Sequence, residues 1–219
     1  MKKYFDILRK CPLFLDVADE HIEKMLGCLG ARVSFFDKKY TVFTEGSRAR
    51  YLGILLSGEV QVARTDYFGN RNIIANIAPG EIFCEEFACA GAEAIPVSAV
   101  ANEPCEVMLI DCSHILYTCE HNCSHHQKMI FNLMKNMAKK NILFHERIEV
   151  TSKRTTREKL MTYLTLCARH AGKREFEIPF DRQELADYLE VERSGLSAEI
   201  GKMKRDGILD CQKNRFTLL

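Results

Sequence analysis

No stretch of this sequence approaches 18 consecutive apolar residues, so no helix is expected to cross a membrane. The opening Met1-Lys2-Lys3-Tyr4-Phe5-Asp6 has no apolar h-region, because Asp6, Arg9 and Lys10 interrupt it. A secretory leader is therefore not expected. Net charge is nearly absent: 31 basic residues stand against 30 acidic ones, giving +1. By itself that balance argues neither for nor against nucleic acid or membrane. The chain has no Gly-rich phosphate loop, no Gly-x-Ser-x-Gly elbow and no His-Glu-x-x-His pair. Without such a motif it is not expected to be an enzyme.

What is present is ordinary globular material. The 219 residues are 47% hydrophobic and 28% charged. This length gives a prior between one domain and two, and the composition excludes a disordered tail, a collagen-like repeat and a low-complexity linker. The 10 cysteines are many, and their spacing is irregular. Free thiols in a reducing cytosol are expected over a disulfide framework, with metal or redox use left open.

From about Arg32 to Asp111 the sequence predicts short strands at Tyr40 to Phe43, Leu52 to Leu56, Val60 to Ala63, Ile73 to Ile77, Val97 to Val100 and Val107 to Ile110. Glu45-Gly46, Ser57-Gly58, Phe68-Gly69-Asn70 and Pro79-Gly80 punctuate them as turns. Such regular turns suggest an antiparallel sandwich or barrel.

The pattern changes after Cys112. Residues 124–150 contain neither Pro nor Gly. Ile130, Met137 and Phe144 fall seven apart, as do Met134, Asn141 and Ile148. That spacing predicts one long helix with an a/d seam and a polar Asn141 at one seam position. The seam must be buried, either on its own β domain or, as favoured here, against the same helix of a second chain.

The last third predicts a helix around Leu160 to Leu166, a short strand at Phe176-Glu177-Ile178, then two helices and a hairpin. Residues 151–219 carry a net +3 and residues 1–150 a net −2, so the C-terminal part permits a phosphate-binding face. Asp181 followed by Glu184 forms a capping box for a helix beginning at Arg182. A second helix starts near Arg193, with Leu196, Ile200 and Met203 facing inward. Ser194, Ala198, Gly201 and Arg205 lie opposite, flanked by Ser197 and Lys202. Gly207-Ile208-Leu209 opens a hairpin that turns at Lys213-Asn214 and returns through Phe216 and Leu218. This is the logic of a winged helix-turn-helix, whose second helix enters the major groove. Arg193 suits a bidentate contact to guanine, and Ser194 and Ser197 allow close backbone approach.

The chain resembles the CRP/FNR regulators, bacterial transcription factors with a cyclic-nucleotide-binding-type β-roll. The residues that carry the resemblance come in order. They are Cys11-Pro12-Leu13-Phe14, Phe43-Thr44-Glu45-Gly46, Leu56-Ser57-Gly58-Glu59-Val60 and Ile77-Ala78-Pro79-Gly80-Glu81-Ile82-Phe83. Val97-Ser98-Ala99-Val100-Ala101, the long helix and the helix-turn-helix ending in Lys204-Arg205-Asp206-Gly207-Ile208-Leu209 follow. The resemblance implies an α+β fold: an antiparallel β-roll of double-stranded β-helix or jelly-roll type over residues 1–123, a dimerisation helix over 124–150, and a winged helix-turn-helix over 151–219. It aligns Arg193 and Ser194 with base-contacting positions, and Arg182 and Gln183 with backbone-contacting ones. Ala198 stands where many members carry a second Arg, so a standard target site is not expected. The resemblance also implies a cytoplasmic location. The implied partners are double-stranded DNA, a second copy of the chain, RNA polymerase and a small-molecule effector of unknown identity, with no membrane.

Members that read cyclic nucleotides hold the phosphate with a Gly-Glu and, about a dozen residues later, an Arg-Ser. Here the matching residues are Cys84-Glu85 and Val97-Ser98-Ala99. Cys84 replaces the Gly, Val97 replaces the Arg, and no Arg or Lys lies between Cys84 and Ser98. A cyclic phosphate would lack its counter-charge, so a cyclic nucleotide is not the expected effector. Cys119, Cys123, His125 and His126 form a dense thiolate and imidazole cluster at positions where metal or haem is open. Its spacing matches no standard zinc pattern, and a polar turn leading into the long helix is the preferred reading. Cys84 and Cys89 fall where some members place a haem ligand. The function expected is effector-responsive, sequence-specific DNA binding by a homodimer on a palindrome. The alternative is a small-molecule or metal/redox sensor module whose helix-turn-helix mediates protein contacts.

Overall fold

Strand Tyr51–Ser57 (β3) is apolar on both faces, and that decides the N-terminal architecture. Side chains alternate across a strand, so Leu52, Ile54 and Leu56 point one way and Leu55 the other. The first set joins a core built with helices; Leu55 joins a second core between two sheets. A computed structural model describes residues 2–65, 67, 71–116 and 124–219. The chain packs as two compact units, residues 1–138 and 139–219.

In the first unit, helices Phe5–Leu8 (α1) and Asp19–Cys28 (α2) precede the strands. Ile22, Met25 and Leu26 line the buried face of α2 at helical spacing. Strands Arg32–Phe36 (β1), Thr41–Phe43 (β2), β3, Val60–Thr65 (β4), Arg71–Ile77 (β5) and Ile82–Phe83 (β6) follow. Helix Glu85–Cys89 (α3) leads to Ser98–Ala101 (β7), Cys105–Asp111 (β8) and helix Cys112–Leu116 (α4). The strands form two antiparallel four-stranded sheets, ordered β1-β8-β3-β6 and β2-β7-β4-β5. Six of these eight strands match the expected positions to within two residues. β1 falls within the expected strand region, and β6 is too short to leave a periodic signal. Gly58 turns between β3 and β4 with φ +80°, and a Cβ there would lie 2.4 Å from the carbonyl oxygen of Pro104. Both the backbone angle and the neighbouring strand demand glycine. The expected turn at Phe68-Gly69-Asn70 lies outside the described residues.

The long helix is present, Ser124–Thr151 (α5). Its first half is anchored in the first unit. Met129 and Leu133 are buried in the helix-facing core, and the Asn132 amide donates to the carbonyls of Leu13 (3.2 Å) and Leu15 (2.8 Å). The positions of the expected seam divide between covered and exposed. Ile130 and Met137 are half-buried and pack on the core of their own unit. Met134, Asn141, Phe144 and Ile148 are exposed, together with Phe131 and Ile142. The seven-residue spacing holds, but Ile130 and Met137 face the core of their own unit while Met134, Asn141, Phe144 and Ile148 stay exposed. Sequence spacing alone does not say which flank the adjacent β domain covers.

The second unit continues with helix Thr156–Ala171 (α6), strand Glu175–Glu177 (β9), helices Arg182–Leu189 (α7) and Arg193–Arg205 (α8), and strands Leu209–Gln212 (β10) and Arg215–Leu218 (β11). Its sheet order is β10-β11-β9. The core joins Leu160 and Leu164 of α6 to Leu185, Leu189, Leu196, Ile200, Met203 and Phe216.

Candidate nucleic-acid interface and sensor pocket

Helix α7 starts where its cap dictates. The Glu184 backbone N–H donates to the Asp181 carboxylate at 2.8 Å, and the Asp181 N–H donates to the Glu184 carboxylate at 2.7 Å. Two otherwise orphaned donors are satisfied. The helix ends at Glu190 in the left-handed region, φ +53°, and Val191 N–H donates back to the Ala186 carbonyl at 3.0 Å. The Lys159 ammonium of α6 donates to the Leu189 carbonyl at 3.0 Å, tying the turn to the unit's core helix. Helix α8 then lays Leu196, Ile200 and Met203 into the core. Arg193, Ser194, Ser197, Ala198, Lys202 and Arg205 remain exposed on its other side.

Arg157 of α6 braces α8 by bonding Asp206 at 2.6 Å and approaching Glu199 at 3.7 Å. Lys202 also lies 3.7 Å from Glu199. Lys204 pairs with Asp210 at 2.7 Å and so joins the helix end to the hairpin. The hairpin turns at Lys213, φ +56°. Arg182 sits over the Phe216 ring, and its guanidinium donates to the Lys213 carbonyl at 3.4 Å. Gln183 is exposed and donates to Asp187 at 2.8 Å. A cleft of about 500 Å³ opens beside these residues, lined among others by Ile178, Phe180, Arg182, Lys213 and Asn214. The fold therefore gathers Arg182, Gln183, Arg193, Ser194, Ser197 and Lys202 within one helix pair. The hairpin also brings Lys213 beside Arg182, a placement that no local motif announces.

The residues expected to line an effector site lie elsewhere. Cys84 is buried and holds a left-handed backbone, φ +60°, a conformation glycine adopts more easily. Val97 and Ala99 are buried, and both join Cys84, Phe83, Val62 and Leu55 in the core between the sheets. Ser98 begins β7, and its hydroxyl accepts from the Glu45 backbone N–H at 3.3 Å. Glu85 is fully buried, and its carboxylate accepts from the Asn136 amide of α5 at 3.3 Å.

Of the cysteine and histidine cluster, Cys119 and Cys123 lie outside the described residues. His126 is buried with Nε2 2.9 Å from the Ile115 carbonyl, and His125 stacks on His21. Both histidines thus have structural contacts. Among the described residues, no group of three or more His, Cys, Asp and Glu side chains is arranged to hold a metal. Among them also, no helix is long and apolar enough to cross a membrane.

Residues 33–122 match the family profile described as "Cyclic nucleotide-binding domain", and residues 158–219 match "Crp-like helix-turn-helix domain". Together the two profiles span well over half of the sequence, in the order of the CRP/FNR architecture. The chain belongs to the CRP/FNR family of transcription regulators. A 76-residue segment is 29% identical to the "Transcriptional activator protein FnrL" of Cereibacter sphaeroides, covering 31% of this chain and 31% of that one. The match thus spans about a third of the relative's length. The fold is similar to that of the Thermus thermophilus catabolite activator protein, with a TM-score of 0.51 at 20% identity over 95% of this chain and 93% of that one. DNR from Pseudomonas aeruginosa gives 0.52 at 20% identity, over 100% and 95%. CprK in its OCPA complex gives 0.65 at 16% identity, over 91% of both chains. At these identities the likeness is one of fold. Family membership thus agrees with the geometry: a two-sheet domain, a long helix and a winged helix-turn-helix.

Proposed function

We propose that the chain is an effector-responsive transcription regulator that binds a palindromic DNA site as a homodimer. The exposed face of α8 carries this reading. Leu196, Ile200 and Met203 hold one side of the helix in the core, while Arg193, Ser194, Ser197 and Lys202 are left to solvent. Arg193 and Ser194 stand at the N-terminal end of the helix, the end that reaches base edges in helix-turn-helix complexes. Arg182, Gln183 and Lys213 suit contacts to the phosphate backbone, which fix register without reading sequence.

The exposed apolar residues Phe131, Met134, Ile142 and Ile148 on α5 support a dimer seam, with Asn141 as a register-setting polar position. Two recognition helices would then meet half-sites about 34–36 Å apart. RNA polymerase is the further partner this reading implies. A small molecule acting in the two-sheet domain shifts the equilibrium between dimer geometries only if it binds them with different affinity. The buried Val97 and the absence of Arg or Lys from Cys84 to Ser98 argue that this molecule is not a cyclic nucleotide.

Selection of duplexes from a random pool, followed by titration of the selected duplex against salt, tests the reading. A palindromic consensus and an affinity that falls steeply with salt are expected. An affinity flat in salt would instead support the sensor whose helix-turn-helix contacts protein.

A further inference from the structure

The chain has ten cysteines, and two of the described ones meet. Cys89 closes α3, and Cys112 opens α4 directly after β8. Their Sγ atoms lie 2.8 Å apart. The thiols are 23 residues apart in sequence and meet only through the fold. Their environments differ in a useful way. Cys89 is half-buried and reachable from solvent, whereas Cys112 is 2% exposed. An accessible thiol beside a sheltered one is the arrangement of an attacking and a resolving cysteine. Among the other described thiols, Cys11, Cys84 and Cys105 are buried in cores, Cys28 is exposed on α2, and Cys167 and Cys211 are half-buried against the core of the second unit.

We propose that Cys89 and Cys112 form a redox-active dithiol, oxidised by a hydroperoxide to an intradomain disulfide. Loss of the Cys89 proton to solvent leaves the accessible sulfur as thiolate, and the Cys112 thiol stabilises it by donating across the 2.8 Å contact. The Cys89 sulfur attacks one peroxide oxygen and breaks the O–O bond. The product is Cys89 sulfenic acid, and the departing hydroxide or alkoxide takes up a proton. Cys112 then loses its proton to solvent, and its thiolate attacks the Cys89 sulfur. This attack forms the S–S bond and expels hydroxide, which is protonated to water. Overall, two thiols are oxidised by two electrons and one peroxide is reduced. With hydrogen peroxide as oxidant the second product is also water.

Closure requires the sulfurs to approach from 2.8 Å to about 2.05 Å. The bond ties α3 to the start of α4. Helix α3 also carries Glu85, which accepts from Asn136 of α5. Oxidation therefore fixes the short helix that joins the sensor residues to the long helix.

The test uses the full chain, reduced and freed of reductant, then exposed to hydrogen peroxide. Remaining thiols are alkylated under denaturing conditions and mapped by mass spectrometry. Cys89 and Cys112 should lose alkylation together, one for one. A non-reducing digest should yield a linked peptide of the two, and dithiothreitol should restore both thiols. Cys112→Ser should convert the Cys89 product from disulfide to sulfenic or sulfinic acid. The wild-type mapping decides the matter even if that variant folds poorly. The proposal is overturned if both thiols stay alkylable while the exposed Cys28 oxidises, if Cys89 alone is lost in the wild type, or if either residue pairs with another cysteine.

Discussion

Replacing Arg193 with Ala isolates base reading from folding. Arg193 is exposed at the first position of α8 and has no hydrogen bond or ion pair among the described residues. Alanine and arginine have similar helix propensity, so α8 should keep its place. A bidentate arginine contact to guanine contributes about 1–3 kcal/mol of discrimination. At about 1.4 kcal/mol per decade, this is roughly 5-fold to 140-fold in affinity for each half-site. A homodimer loses the contact twice. With separated half-sites roughly additive, the loss is about 2–6 kcal/mol, or roughly 25-fold to 2 × 10⁴-fold. Fluorescence anisotropy on the selected duplex measures it, with circular dichroism confirming an unchanged fold. Base discrimination should relax at one symmetric position. Lys202→Ala offers the contrast: binding weakens about equally on all sequences, and the salt slope falls by about 1 per protomer. A loss under about twofold for Arg193→Ala, on a folded protein, would refute the recognition-helix assignment.

Three further outcomes follow from the packing. Gly53→Ala places a Cβ 2.4 Å from the Phe83 ring, which is itself buried, so about 1–3 kcal/mol of stability should be lost; the urea midpoint reads this, and an unchanged midpoint would mean that the ring moves freely. Asp181→Ala removes half of the α7 capping box and should cost about 1 kcal/mol, with Asp181→Asn recovering most of it in thermal melts. Asp111 is pushed up by burial, but hydrogen bonds from Ser113 and Arg50 outweigh this and hold its carboxyl below the usual range. A depressed folded-state value means that the stabilisation is present above the unfolded value of about 4 and disappears as pH falls through the folded one. Asp111→Asn should therefore flatten the acid limb of the stability profile below about pH 4, and an unaltered limb would contradict the assignment.

Much of the second unit was legible because its signals are local. A capping box needs residues three apart, and both of its hydrogen bonds form. The inward face of α8 needs only helical periodicity, and Leu196, Ile200 and Met203 are all buried. The strands of the two-sheet domain were visible wherever turn residues framed them. By contrast, β6 has two residues, and α3 and α4 have five each, too few for any period to show.

The sequence by itself determined the order of the six framed strands, the long helix and the winged helix-turn-helix, the family, and the residues presented by the helix-turn-helix. These rest on short-range patterns that survive without a partner element. Only the tertiary structure decided which flank of α5 is covered, because Ile130 and Met137 are claimed by a core assembled from α1, α2 and β3. It also decided that Val97 and Cys84 fill the space between the sheets, and that the wing places Lys213 beside Arg182. The meeting of Cys89 and Cys112 is of the same kind. Each of these contacts joins residues distant in the chain, and burial, not spacing, selects them.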